Sequence, residues 1–161
     1  MIQAGTRFAP SILSQMAKRQ EAGADDIWPV PDLFNIADMC CDRWAVAQPD
    51  RVALIDVRDD APPKCWAYAE LLRAATKLAH YFKSHHIVQG DRIAVLLPQG
   101  PEVLIAHFAA YRIGAIILPL FTRFGPDALA YRLRDSGAKL TITDAGSLNK
   151  LLPILPDLPE L

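Results

Sequence analysis

Between Leu120 and Gly125 the chain reads Phe121-Thr122-Arg123-Phe124, two aromatic rings around a hydroxyl and a cation. A simple connection needs only Gly, Ser or Asn, so these residue types ask for a reason. A ring offers a face on which a flat heterocycle can stack, and a guanidinium offers a planar fork to a phosphate. Together they could hold an adenine and its anion. In the alternative, both Phe residues cap the core and the aliphatic stem of Arg123 covers them. Spacing alone leaves both readings open.

Other chemistry is thinner. Cys40 and Cys41 are adjacent and Cys65 is distant, which fits neither a paired disulfide framework nor spaced zinc ligands; they read as small buried thiols. His80, His85, His86 and His107 come without Cys or carboxylate at ligand spacing, so no metal ligand is assigned. Gly-x-Ser-x-Gly, Gly-x-Gly-x-x-Gly and Gly-x-x-x-x-Gly-Lys-Ser/Thr are all absent, which removes the familiar nucleophile elbow and glycine phosphate loops.

The elements that must position the aromatic-cation loop are legible around it. Gly100-Pro101-Glu102 opens a helix that ends at Gly114 before the strand "AIILPL"; Gly125-Pro126-Asp127 opens another that ends at Gly137 before "KLTITD". In each, Pro stands at the first helical position, an acid lies in the positive first turn, and Gly takes the left-handed closing position. The preceding "GDRIAVLLP" is a turn and a strand apolar on both faces, as the middle of a parallel sheet requires. Strand, helix, strand, helix, strand predicts right-handed crossovers and a doubly wound α/β fold. Ligands of such sheets bind beyond the carboxyl ends of the strands, which singles out "PQG" and "FTRF".

Upstream, residues 1–31 read as an irregular arm and residues 32–161 as the α/β part, starting with a helix from about Asp32, an N-cap residue type, to about Val46. "QPDRVALIDV" is a turn and a strand, and Asp59, Asp60, Pro62 and Pro63 predict a turn. Tyr68, Leu71, Leu72, Ala75, Leu78, Ala79 and Phe82 then fall along one face of a helix.

With 161 residues, 52% apolar, 22% charged and a formal charge of -1, the chain suits one domain and carries no electrostatic mark for nucleic acid or an anionic membrane. Its apolar runs are far shorter than the roughly 20 residues of a membrane-spanning helix, and the first residues lack the apolar stretch of a secretory signal. The expected location is cytoplasmic.

Five segments in order, "QPDRVALI" (48–55), "WAYAEL" (66–71), "GDRIAVLLP" (90–98), "YRIGAIILPLF" (111–121) and "LRDSGAKLTITD" (133–144), resemble the N-terminal part of the AMP-dependent, adenylate-forming synthetases, most closely acyl-CoA synthetases of the acetyl and medium-chain kind. The resemblance covers about three fifths of the chain. It implies a ligase that joins a small carboxylic acid to the thiol of coenzyme A through an acyl-adenylate, consuming ATP with Mg2+ and releasing AMP and pyrophosphate. A carboxylate is a poor electrophile; the mixed anhydride with AMP supplies a leaving group.

The family's phosphate loop, adenine and ribose contacts, hinge and catalytic lysine all lie C-terminal to the matched region. The resemblance therefore implies a truncated front piece of a longer enzyme, inactive alone, with the remainder of the same polypeptide as its partner. The tail "LLPILPDLPEL" sets five Leu and one Ile among three Pro, and reads as apolar chain with no following element to bury it. No catalytic residue is assigned. By position the resemblance places Phe121, Thr122 and Arg123, then Asn149 and Lys150, near the nucleotide of coenzyme A. Acetyl-specific members usually carry two glycines where Thr122 and Arg123 stand, so the close backbone approach those glycines allow is replaced here, and Arg123 could bind a phosphate directly. Lys150 has the alternative of a solvated charge on a short helix, and Arg132 and Arg134 are expected to face solvent. Ala67 stands where the family usually has Thr or Ser. The competing reading is a stand-alone, non-catalytic module binding a nucleotide or a partner.

Overall fold

A computed structural model describes residues 33–59 and 61–161. All of its elements lie in the unit Asn35–Leu161. The expected arm over 1–31 and the expected cap at Asp32 fall outside the described residues. Asn35 caps the first helical segment: its Oδ1 accepts the N–H groups of Ala37 at 3.0 Å and Asp38 at 3.4 Å. A π-helical turn, Asp38–Asp42, then runs into α1, Arg43–Ala47.

Strands β1, Val52–Arg58, and β2, Ala61–Ala67, form an antiparallel hairpin with Ile55 opposite Cys65 and Asp56 opposite Lys64. This corrects the expected turn: Pro62 and Pro63 belong to β2, Asp59 alone keeps the turn, and Asp60 lies outside the described residues. The register shifts between Asp56 and Arg58, and neither proline has a paired position in it. In a two-stranded hairpin each strand keeps an outer edge, so a residue without an N–H loses no ladder bond there.

Helix α2, Tyr68–Ser84, buries Leu71, Ala75, Ala79 and Phe82 along the predicted face. Its N-cap, Ala67, has no side-chain acceptor; the Glu70 carboxylate accepts the Ala67 N–H at 2.8 Å. Half of a capping box is therefore made, and the missing half is the hydroxyl that Ala67 lacks.

The two crossover units follow: β3, Arg92–Leu96; α3, Pro101–Arg112; β4, Ile116–Pro119; α4, Pro126–Ser136; β5, Leu140–Thr143. The three strands are parallel in the order β4-β3-β5, with Ile93 opposite both Ile117 and Leu140. Because the chain leaves β3 to one side and crosses back to the other, right-handed connections place α3 and α4 on opposite faces. Side-chain alternation along β3 serves both. Ile93 joins the cluster of α2 and α3 with Phe82, Phe108 and Ala109, whereas Ala94 and Leu96 join Leu129, Leu133 and Leu151. The strand predicted to be apolar on both faces is the central one.

At the amino end of the sheet, residues of "GDR" act as ties. Asp91 accepts the Val88 N–H at 2.9 Å and pairs with Lys139 at 2.8 Å, next to β5. These bonds, first that to Lys139, hold its carboxyl below its ordinary value. Arg92 donates to the carbonyls of Ser136 at 2.7 Å and Gly137 at 2.8 Å, closing the end of α4.

Helix α5, Ala145–Leu151, continues into a 3-10 segment, Leu152–Asp157. Here the expectation of an unburied tail is overturned: Leu151, Ile154 and Leu158 are buried in the cluster with Leu129 and Leu133, while Leu152 and Leu155 stay exposed. The tight turns around Pro153 and Pro156 bring every third or fourth side chain onto α4. The expectation of buried thiols holds for Cys41 and fails for Cys40 and Cys65, which are exposed because neighbours in a helix or a hairpin strand point to different sides.

Candidate functional site at the carboxyl end of the sheet

The loop after β4 starts from a buried anchor. Leu120 donates its N–H to the carbonyl of Val95 at 2.9 Å, extending the β3 pairing by one residue, and its side chain is buried. The chain then turns: the Phe124 N–H reaches the Phe121 carbonyl at 3.0 Å. Within that turn the two rings meet edge to face, 5.9 Å apart at 85°. Their fates differ. Phe124 is half-buried against the Leu129 and Leu133 cluster, whereas Phe121 is 59% exposed.

Neither sequence reading of "FTRF" is therefore complete. Phe124 caps the core, but Arg123 does not cover it; Arg123 is exposed, and among the described residues no carboxylate lies within ion-pair range of it. The cover comes from Arg132, whose guanidinium stands 4.2 Å over the Phe124 ring while Nη1 donates to the Ala128 carbonyl at 3.0 Å. This corrects the solvent-facing expectation for Arg132, because two turns into α4 its side chain reaches back toward the helix start. Arg134 is exposed, as expected.

The second candidate segment arrives from β5. Asp144 caps α5, its Oδ1 accepting the Ser147 N–H at 2.8 Å. That bond, first among several causes, holds the Asp144 carboxyl below its ordinary value, with Lys150 adding a smaller pull. Lys150 then projects to the neighbouring loop, and its Nζ donates to the Thr122 carbonyl at 2.5 Å. Asn149 is exposed beside it. Two segments 28 residues apart in sequence thus meet through one bond at the carboxyl end of the sheet. The sequence reading missed Arg132 as a ring cover and Asp144 as the cap that orients α5. Of these the second was readable, since an Asp directly before a helical stretch commonly accepts the N–H two or three residues on.

The "PQG" loop after β3 faces something else. Gln99, Gly100 and Pro101, with Leu54 to Val57 of β1 and Val103, Leu104 and His107 of α3, line a groove of about 460 Å³. Burial pushes the His107 imidazole below its ordinary value, and its buried Nε2 has no partner among the described residues. Among the described residues no three side chains of His, Cys, Asp and Glu gather as a metal site, so no residue here is assigned to Mg2+. None of the described helices is long and apolar enough to cross a membrane.

Comparison with known proteins matches residues 41–161 to the family described as AMP-binding enzyme. An acetyl-coenzyme A synthetase of Emericella nidulans is 36% identical over 120 residues, covering 74% of this chain and 18% of that protein. Acetyl-coenzyme A synthetase 2 of Saccharomyces cerevisiae is 38% identical over 120 residues, again 74% of this chain and 18% of the relative. Among solved structures, an acyl-CoA synthetase of Brucella canis superposes with a TM-score of 0.71 at 36% identity, covering 75% of this chain and 22% of that one. The chain spans about a fifth of the length of the curated relatives it matches.

Proposed function

The chain belongs to the AMP-binding enzyme family, and from that premise we propose that it is the N-terminal α/β part of a cytoplasmic acyl-CoA synthetase whose β4–α4 loop and α5 receive the nucleotide of coenzyme A. The parent would join a small carboxylic acid to the coenzyme A thiol with ATP and Mg2+. The 161 residues bind ATP weakly or not at all.

One observation carries the reading. The segments around Phe121, Thr122 and Arg123 and around Asn149 and Lys150 converge through the Lys150–Thr122 bond, at the sheet end where doubly wound folds place ligands. Phe121 leaves a ring free for an adenine, and Arg123 leaves a guanidinium free for a phosphate. Small-molecule binding by the unsubstituted chain tests this in calorimetry with coenzyme A and with pantetheine, which lacks the nucleotide. Coenzyme A should saturate the chain and pantetheine should not. Arg123→Met should weaken coenzyme A about tenfold, the size of one charge-assisted phosphate contact. Equal binding of both compounds, or coenzyme A affinity untouched by Arg123→Met, would remove the site; saturable micromolar ATP binding would instead favour a nucleotide-binding module that stands alone.

A further inference from the structure

Lys150 and Arg123, two of the cations at this loop, are held differently, and the difference assigns them different jobs. Lys150 is half-buried and its ammonium is engaged with a backbone carbonyl, that of Thr122. Arg123, one residue on, is exposed and pairs with no carboxylate among the described residues. The aromatic pair divides in the same way: Phe124 packs against the core with the Arg132 guanidinium over its ring, and Phe121 meets it in a T-shaped pair with its own ring exposed.

We infer that Lys150 is a positioning residue rather than a phosphate ligand: with Arg132 and Phe124 it fixes the Phe121–Phe124 turn, and so holds Phe121 and Arg123 as the groups that meet an adenine and a phosphate. This rests on the coenzyme A reading above, but the loop it describes exists without ligand. A carbonyl has two lone pairs and an ammonium three protons, so the bond does not exhaust either group. What it does is tie the middle of a short loop to a helix whose first turn is locked by Asp144. A loop with exposed backbone and no such tie opens easily, and each opening would scatter the ring and the guanidinium that must act together.

Two readouts separate holding from touching. Amide exchange of Phe124, whose N–H closes the turn on Phe121, should speed up about tenfold in Lys150→Met and recover most of its protection in Lys150→Arg, while the β3 amides keep theirs as proof of folding. Arg123→Met should leave Phe124 exchange unchanged. In coenzyme A titrations from about 50 to about 500 mM salt, Arg123→Met should flatten the salt dependence because a charge contact is lost; Lys150→Met should weaken binding while the dependence keeps its slope. Unchanged Phe124 exchange in Lys150→Met overturns the inference, as does a salt dependence flattened by Lys150→Met as much as by Arg123→Met. Failure of the unsubstituted chain to bind coenzyme A counts against the proposed function alone, since the exchange experiment still decides what Lys150 does.

Discussion

Helix α3 opens on Gly100-Pro101-Glu102 and α4 on Gly125-Pro126-Asp127, and a glycine of positive φ follows each, Gly114 at 72° and Gly137 at 58°. Yet α3 buries Pro101, Ala106, Phe108, Ala109 and Ala110, whereas α4 buries only Leu129 and Leu133 and leaves Tyr131 66% exposed. The small residues of α3 let α2 approach closely, and both share one cluster with Ile93 of the sheet; α4 covers the other face with one narrow stripe. The loops follow suit. "PQG" enters the buried helix beside an apolar groove, and "FTRF" enters the exposed one with its ring and cation in solvent. Identical punctuation starts and stops both helices, while depth in the fold makes one a scaffold and the other a surface helix that carries an exposed loop.

The sharpest way to break that contrast is at the helix ends. Arg112, in the last turn of α3, pairs with Asp42 of the π-helical turn, both side chains about four-fifths buried. Burial, opposed chiefly by Arg112, already holds the Asp42 carboxyl above its ordinary value. Arg112→Met should cost about 2 kcal/mol in urea unfolding at pH 7, because it strands a partly buried carboxylate. The sign in acid follows: an acid with a raised folded value protonates more readily in the folded state, so the deficit should shrink as pH falls toward 4. Arg134→Met, at the matching place on exposed α4, should lie within about 0.5 kcal/mol of the unsubstituted chain. Equal losses at both sites would end the distinction between scaffold and surface helix.

A smaller effect compares opening with closing glycines within α4. A Cβ at Gly137 would meet Arg92 Nη2 at 2.8 Å in a left-handed backbone, and the same guanidinium caps the helix. Gly137→Ala should therefore cost about 1–2 kcal/mol. Gly125→Ala, at an extended N-cap position with nothing within 4 Å, should cost less, about 0.5 kcal/mol, in the same thermal melts. A neutral Gly137→Ala would show that the Arg92 cap adjusts freely.

The smallest expected change is a gain, in the helix that lacks this punctuation. Helix α2 has neither an opening proline nor a capping hydroxyl, only the Glu70 carboxylate on the Ala67 N–H. Ala67→Ser should complete the capping box and add about 1 kcal/mol, read as a raised urea midpoint at unchanged slope. No gain would mean that tertiary packing of Leu71, Ala75 and Phe82 already fixes the helix start.

Much of the fold was legible because local rules decide it. Pro after Gly fixed the starts of α3 and α4, the period of Leu71, Ala75, Ala79 and Phe82 fixed the buried face of α2, and the unbroken "IAVL" marked the central strand. Pro62 and Pro63 misled because a missing N–H is as compatible with an outer edge as with a turn, and only the hairpin partner shows which. The tail misled for a related reason. Leu151, Ile154 and Leu158 find their cover on α4, a partner that pattern within the tail does not name. At the site, the residue types and the strand ends were readable, but the division between Phe121 and Phe124 was not, since both are the same residue three positions apart.

The sequence by itself determined which segments become helices and strands, that the sheet is parallel, and to which family the chain belongs, because propensity, caps and hydrophobic period act over a few neighbouring residues. Only the tertiary structure decided that α3 is enclosed and α4 is not, that Arg132 rather than Arg123 covers Phe124, and that Lys150 closes on Thr122. Those outcomes depend on contacts between segments far apart in the chain, and such contacts follow from how the helices cross the sheet.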